Sequence, residues 1–254
     1  MNLGLQGRCA LITGATKGIG RACAERLAQE GCHLHLAARS ETDLSATAAD
    51  IRANHGVQVG IHACDLTKSD QLNDLFAACP EVDILVNNAG AIPAGSIMTI
   101  DEETWRTVWD LKVFGYINLS RLAFSAMSER QKGVIINVIG AAGDKPAFDY
   151  IAGSAGNASL MAMTKALGAT SCKQGVRVVA INPGLIKTGR LETLARAKAK
   201  DLLGDAERWQ ETLDKDFPPG EPEHIADMVA FLASDRSGYT TGTVITIDGG
   251  ASAR

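Results

Sequence analysis

No apolar run in this 254-residue chain approaches the ~20 residues that a membrane span requires. The N-terminus carries no apolar signal segment, so a cytoplasmic protein is the expectation. No C-x-x-C pair occurs among the six cysteines, Cys9, Cys23, Cys32, Cys64, Cys79 and Cys172. Most lie among apolar neighbours, which argues against a disulfide framework or zinc motif and for buried free thiols. Charge of one sign is not in excess: the formal net charge is −4 and the basic residues are scattered, which speaks against a nucleic-acid surface. The one basic run, Arg196 to Lys200, reads as a solvated helix face. No linker rich in glycine, proline or serine divides the chain and no repeat is visible, so residues 1–254 are expected to form one domain. His33 and His35 alternate on one predicted strand and face the same side, but no carboxylate or cysteine cluster accompanies them and no metal site is expected.

What the chain does have is an unbroken alternation of strand and helix patterns. Apolar runs predict strands at Arg8–Ile12, His33–Ala37, Gln58–His62, Ile84–Val86, Val134–Val138, Arg177–Ile181 and Val244–Ile247. Helical periodicity fills the intervals Gly18–Glu30, Glu41–Asn54, Ser69–Ala78, Glu102–Ser128, Ser154–Lys173 and His224–Ala233. Such alternation predicts an α/β fold, a doubly wound parallel sheet of about seven strands with helices on both faces. Its ligand site is expected beyond the carboxyl ends of the strands, where strand order reverses. One stretch breaks the rhythm. Residues 188–219 separate the sixth strand from the next helix and carry many charges, Trp209 and Pro218-Pro219. Placed after a strand's carboxyl end, this insertion is either a substrate lid or a structural helical excursion.

The run T-G-A-T-K-G-I-G, from Thr13 to Gly20, follows the first strand and opens the first helix. A glycine-rich strand-to-helix turn lets the backbone approach a pyrophosphate and points unpaired helix N–H groups at it. The glycines fall at Gly14, Gly18 and Gly20, with Thr16, Lys17 and Ile19 between them. The second strand ends in A-A-R-S, where an acid would bind the adenosine ribose hydroxyls. Ala38 and Arg39 stand there instead, leaving room and a cation for a 2′-phosphate, and Lys17 adds another. NADP(H) is therefore favoured over NAD(H).

The Thr13–Gly20 turn, Asp65 in C-D-L-T, N-N-A-G at Asn87–Gly90, N-P-G at Asn182–Gly184 and I-D-G-G at Ile247–Gly250 occur in this order. Together they resemble the short-chain dehydrogenase/reductase family over essentially the whole chain. The resemblance implies a Rossmann-type oxidoreductase acting on a small carbonyl or alcohol, and a homodimer or homotetramer paired through the helices at Glu102–Ser128 and Ser154–Lys173. It also implies that Asp65 and Leu66 contact the adenine, and that the turn Asn87 to Gly90, with Asn88, Ala89 and Gly90 as cofactor contacts, lies under the ribose. Pro183, Gly184, Ile186 and Thr188 would then flank the nicotinamide. Small apolar residues nearby (Ala91, Ile92, Ala141, Ala142, Leu185) suggest a hydrophobic substrate pocket.

The catalytic half departs from the pattern. The family uses a tyrosine acid, a lysine four residues later, a serine, and an asparagine on the preceding long helix. None of the three tyrosines, Tyr116, Tyr150 and Tyr239, has lysine at i+4; Ser120, Ser154 and Thr243 stand there. Counting back from Pro183 puts Gly153 at the tyrosine position, Asn157 at the lysine position and Gly140 at the serine position. The same reading puts Asp110 at the asparagine position. Tyr150, near the start of the same helix, is expected either to reach into the space beside Gly153 or to serve as packing. Asp110, Asp144 and Asp149 are further candidate acids, and Asn157 is a candidate for both cofactor binding and catalysis. Three readings follow: an NADP(H)-dependent oxidoreductase with atypical acid–base groups or an easily reduced substrate, an NADP(H)-binding protein without turnover, or a non-redox lyase or isomerase reusing the pocket, against which Ala38, Arg39 and Lys17 weigh.

Overall fold

The computed structural model describes residues 2–79 and 81–253. Seven short strands follow one another as β1 (Cys9–Thr13), β2 (His33–Ala38), β3 (Val59–Ala63), β4 (Ile84–Asn87), β5 (Gly133–Val138), β6 (Val176–Pro183) and β7 (Thr243–Ile247). All pairings are parallel, in the order β3-β2-β1-β4-β5-β6-β7. Alternation along each strand sends successive side chains to opposite faces. Ala10 and Ile12 of β1, Leu34 and Leu36 of β2, and Ile84 and Val86 of β4 share one core with the first helix α1 (Gly18–Gln29), with α2 (Glu41–His55) and with the last helix, Pro222–Ala233. Leu11, Leu85, Ile135 and Val178 face the other way, against α3 (Ser69–Ala77) and the helical stretch before β5. A sheet covered on both faces accounts for strands that read as nearly continuous apolar runs.

The strands lie within a residue or two of expectation; the helices differ in three places that matter for the site. The helix expected at Glu102–Ser128 is interrupted: α4 (Glu102–Trp109) passes through a π-helical turn, Asp110–Phe114, into α5 (Gly115–Glu129). Such turns widen the helix and re-aim its side chains. Tertiary hydrogen bonds flank this one, from Trp109 Nε1 to Ala152 O (3.0 Å) and from Tyr116 Oη to Val138 O (2.9 Å). The helix expected from Ser154 starts earlier, as α6 (Ile151–Ser171), with Tyr150 just before its first residue. The 188–219 segment is largely helical. α7 (Gly189–Leu203) is capped by the Thr188 hydroxyl and packs on the 3₁₀ stretch Ala206–Thr212 through Arg196, which pairs with Glu192 and Glu207. α8 (Pro222–Ala233) completes the set. No helix among the described residues is long and apolar enough to cross a membrane.

Candidate active site

Strand order reverses between β1 and β4, and the glycine-rich turn and the N-N-A-G turn meet at that crevice. Gly14 and Gly18 adopt φ 65° and 54°, conformations that favour glycine. A Cβ on Gly20 would stand 2.2 Å from Gly14 O, so the chain closes this tightly only without a side chain there. Thr13 Oγ1 accepts from the backbone N–H groups of Asn88 (2.9 Å) and Ala89 (3.0 Å), and Asn88 Nδ2 donates to Thr13 O (3.0 Å). The two turns are thus fastened together. Beneath them Asn87 is buried and donates to Ser120 Oγ (3.0 Å) and Asn137 Oδ1 (2.8 Å), a structural role.

Along the rim, Arg39 and Lys17 are exposed at the ends of the first two strand-to-helix connections. The Asp65 carboxyl lies below its ordinary range, chiefly through the Thr67 backbone N–H at 3.0 Å and then through Lys68 and Arg39. Leu66 is buried beside it. On the opposite side Gly184 packs directly on Asp248, where a Cβ would approach to 2.6 Å, and Ile186 is buried. Thr188 faces Gly18: a Cβ on Gly18 would meet its methyl at 3.1 Å.

The end of β5 brings Gly140 against Asn157 of α6. Gly140 has φ 140°, and a Cβ there would stand 2.9 Å from Asn157 Nδ2. Asn157 is 2% exposed, and its Oδ1 has no hydrogen-bond partner. Gly153 is covered by the ring of Tyr150, whose Cε1 would lie 2.1 Å from a Cβ on Gly153. The Tyr150 hydroxyl accepts from Arg190 Nη2 at 3.2 Å, and the same nitrogen donates to Ile92 O. Arg190, in the first turn of α7, ties the inserted segment to the site; no spacing in the sequence pointed to it. Asp144 is exposed but accepts from Asn182 Nδ2 (3.0 Å), and Asp149 is exposed in the loop before Tyr150.

Asp110 does not join this group. It is exposed beside a surface cavity with Leu66, Thr67 and Asn118, on the face of the helical run away from buried Val108 and Lys112. The residue that faces inward is Lys112, four residues after buried Val108, with Nζ donating to Ile139 O at 2.6 Å. A single lysine inside the apolar run L-K-V-F was the only sequence signal for it.

A family model described as Enoyl-(Acyl carrier protein) reductase matches residues 14–252. A 3-oxoacyl-(acyl-carrier-protein) reductase of Rickettsia bellii is 34% identical over 252 residues, 97% of each chain. The Homo sapiens protein dehydrogenase/reductase SDR family member 4 is 31% identical over 98% of this chain and 89% of its own. L-sorbose reductase from Gluconobacter frateurii, solved with NADPH and L-sorbose, superposes with a TM-score of 0.91 at 33% identity over 98% of each chain. The chain belongs to the short-chain dehydrogenase/reductase family. Membership makes it an NAD(P)-dependent oxidoreductase.

The residues present fit the family's dinucleotide. The glycine turn offers backbone where a Cβ would obstruct, and the buried, unpartnered Oδ1 of Asn157 is an acceptor waiting for a hydroxyl donor. The space at Gly153 is not an open gap. Gly153→Tyr must displace the Tyr150 ring, and an overpacked site of this kind typically costs ~1–3 kcal/mol. A lowered melting temperature is expected for Gly153→Tyr, rescued in part by adding Tyr150→Ala; an unchanged one would show that the ring is not seated there.

Burial, with Arg190 as the second cause, lowers the Lys112 ammonium from 10.5 to about 7. In the unfolded chain the lysine holds its proton to about pH 10. Above pH 7 the unfolded state therefore binds more protons, and stability rises with pH. The buried thiols act oppositely but only near and above their ordinary range, about pH 8.5; Cys23, for instance, is pushed up to about 12. His35 and His62 are lowered by burial and act below the ordinary imidazole range. Between pH 7 and 8.5 the melting temperature should climb, and Lys112→Met should remove most of that slope. A flat wild-type profile in this window would contradict the burial of the charge.

Proposed function

We propose that this protein is an NADP(H)-dependent oxidoreductase that interconverts a small carbonyl and its alcohol with a replaced set of acid–base groups. The observation that carries this reading is the Tyr150 ring seated over Gly153 with its hydroxyl held by Arg190. The turn from Gly14 to Gly20, including Thr16, Lys17, Gly18 and Ile19, would hold the pyrophosphate, and Arg39 with Lys17 a 2′-phosphate. Asp65 and Leu66 would take the adenine, and Asn88, Ala89, Gly90 and Asn157 the ribose side. Pro183, Gly184, Ile186 and Thr188 would line the nicotinamide end. When bound, the nicotinamide supplies or accepts the hydride.

The residues of the chain then handle the proton. Arg190 donates to Tyr150 Oη, which leaves the hydroxyl's own proton for a substrate oxygen. Lys112 supplies a buried cation at the same end of β5, held by Ile139 O. In the family pattern the lysine stands on the later helix and the asparagine on the earlier one; here the later helix, α6, carries Asn157 and the earlier helical run carries Lys112. The two side chains reach neighbouring residues, Ile139 and Gly140, so the exchange keeps one ammonium and one amide at the end of β5. The helical segment that brings Arg190 acts as the lid of this site, and the apolar residues Ala91, Ile92, Ala141, Ala142 and Leu185 favour a fairly hydrophobic substrate. A dimer or tetramer is the expected assembly.

Fluorescence titration with NADPH and NADH, followed by absorbance assays over a panel of ketones, aldehydes and alcohols, tests this reading. Tighter NADPH binding with turnover of at least one panel member is expected. Equal affinity for the two cofactors would overturn the NADP(H) assignment, and tight NADPH binding without turnover over a broad panel would favour the binding-protein reading.

A further inference from the structure

At the β3 edge of the sheet, three side chains from distant parts of the chain converge. His35 comes from β2, His62 from β3, and Cys79 from just beyond α3. Their ligand atoms all lie within 4.8 Å of one another, the one such group of three among the described residues. His35 Nδ1 stands 2.9 Å from His62 Nε2, and Cys79 Sγ stands 3.6 Å from the same His62 nitrogen. His33, placed on the same side of the strand as His35 by alternation, does not join them: its Nδ1 accepts from the Gln58 backbone N–H at 3.2 Å. The partners that do gather are a histidine and a cysteine, where the sequence suggested neither.

The hydrogen-bond count at this cluster is uneven. Two nitrogens and a sulfur meet around one position, and a neutral imidazole carries its single proton on only one of its two nitrogens. One ring proton between His35 Nδ1 and His62 Nε2 satisfies that pair and leaves the thiol a weak, long contact. We propose that His35, His62 and Cys79 form a binding site for a borderline or soft metal cation of the zinc type, with solvent as the fourth ligand. The geometry is close to what such an ion requires. Tetrahedral zinc with bonds of ~2.0–2.1 Å to nitrogen and ~2.3 Å to sulfur places its nitrogens ~3.3 Å apart and a nitrogen and sulfur ~3.6 Å apart. The sulfur is already at that spacing from His62 Nε2 and lies within 4.8 Å of the His35 ligand atom, and the two nitrogens must part by less than about half an ångström to match it.

The surroundings favour the same assignment. Gly60 pairs with His35 across the ladder, and a Cβ there would stand 2.9 Å from His35 Nδ1 and 3.5 Å from His62 Nε2, so only glycine leaves the two rings free to meet. Both histidines are half-buried, which leaves solvent access for a fourth ligand, while Cys79 is fully buried. Burial keeps both imidazoles neutral at neutral pH, the form that ligates, and His35 lowers His62 further. The thiol is pushed up to about 12, so metal must displace its proton on binding, as coordinated thiols commonly permit. An ion here would clamp the edge strand β3 to β2 and to the end of α3.

Cobalt(II) is the probe, titrated into chelator-treated full-length protein, with zinc used afterwards to displace it. The expected result is one cobalt per chain, a thiolate-to-cobalt charge-transfer band in the near ultraviolet, and visible bands of tetrahedral strength. Cys79→Ser should abolish the charge-transfer band, and His35→Asn or His62→Asn should each weaken binding at least about tenfold. The exposed Cys172 is the control, and Cys172→Ser should change neither stoichiometry nor spectrum. Zinc should raise the melting temperature of the wild type but not of Cys79→Ser. Cobalt bound without a thiolate band, binding that follows Cys172, or binding that survives both histidine substitutions in folded variants would overturn the proposal.

Discussion

Tyr150→Phe should lower kcat/KM for carbonyl reduction by ~10²–10⁴, the range expected when a positioned acid is lost. The substitution removes one oxygen and leaves the ring over Gly153, so the packing on that glycine is kept. Arg190 loses one acceptor but retains Ile92 O. Cofactor affinity and melting temperature should therefore stay close to wild type while turnover falls. Arg190→Met should also reduce kcat, because Tyr150 Oη then lacks its described donor, and it should perturb KM through the loosened contact between α7 and the Ile92 loop. If Tyr150→Phe retains full activity, the proton comes from elsewhere and Tyr150 is a packing residue.

The second large effect concerns the adenosine end. Arg39→Asp should reverse the cofactor preference, because it removes a cation suited to a 2′-phosphate and installs an acceptor for ribose hydroxyls. A charged hydrogen bond contributes about 1.5–3 kcal/mol, so NADPH affinity should fall roughly tenfold to a hundredfold, with repulsion adding to the loss. Asp65 would lose one of its cationic neighbours, yet its main support, the Thr67 backbone N–H, remains. Comparing dissociation constants for both cofactors at fixed salt checks this, with Lys17→Ala as a milder companion. An unchanged NADPH constant in Arg39→Asp would remove Arg39 from the phosphate site.

Much of the fold is legible because strand and helix periods in this chain agree with their packing. Leu11 and Ile12 point to opposite cores as simple alternation demands, and the Thr13–Gly20 turn reads directly as a strand-to-helix cradle. The catalytic end is less legible. Asp110 and Lys112 lie two residues apart, and Lys112 faces inward between buried Val108 and Tyr116 while Asp110 faces out. No sequence pattern shows the distant carbonyl of Ile139 that holds the Lys112 ammonium. Arg190 lies 40 residues from Tyr150 and meets it only because the inserted segment folds back as a helix. The same holds for His62 and Cys79 around His35, which the β2–β3 register and the end of α3 bring together. Tyr150 itself was within reach of sequence reasoning, since a glycine three residues further along a helix leaves space on the same face.

The pH dependence of kcat/KM for NADPH-linked carbonyl reduction, measured for wild type, Tyr150→Phe and Lys112→Met, tests the central claim most directly. With Lys112 lowered to about 7, its ammonium is present below that pH and lost above it. Reduction should therefore fall as pH rises through about 7 in the wild type, and this limb should vanish or move in Lys112→Met. Tyr150→Phe should be slow at every pH. A wild-type profile without a break near neutrality, or the same break retained in Lys112→Met, would contradict the account of how this site handles its proton.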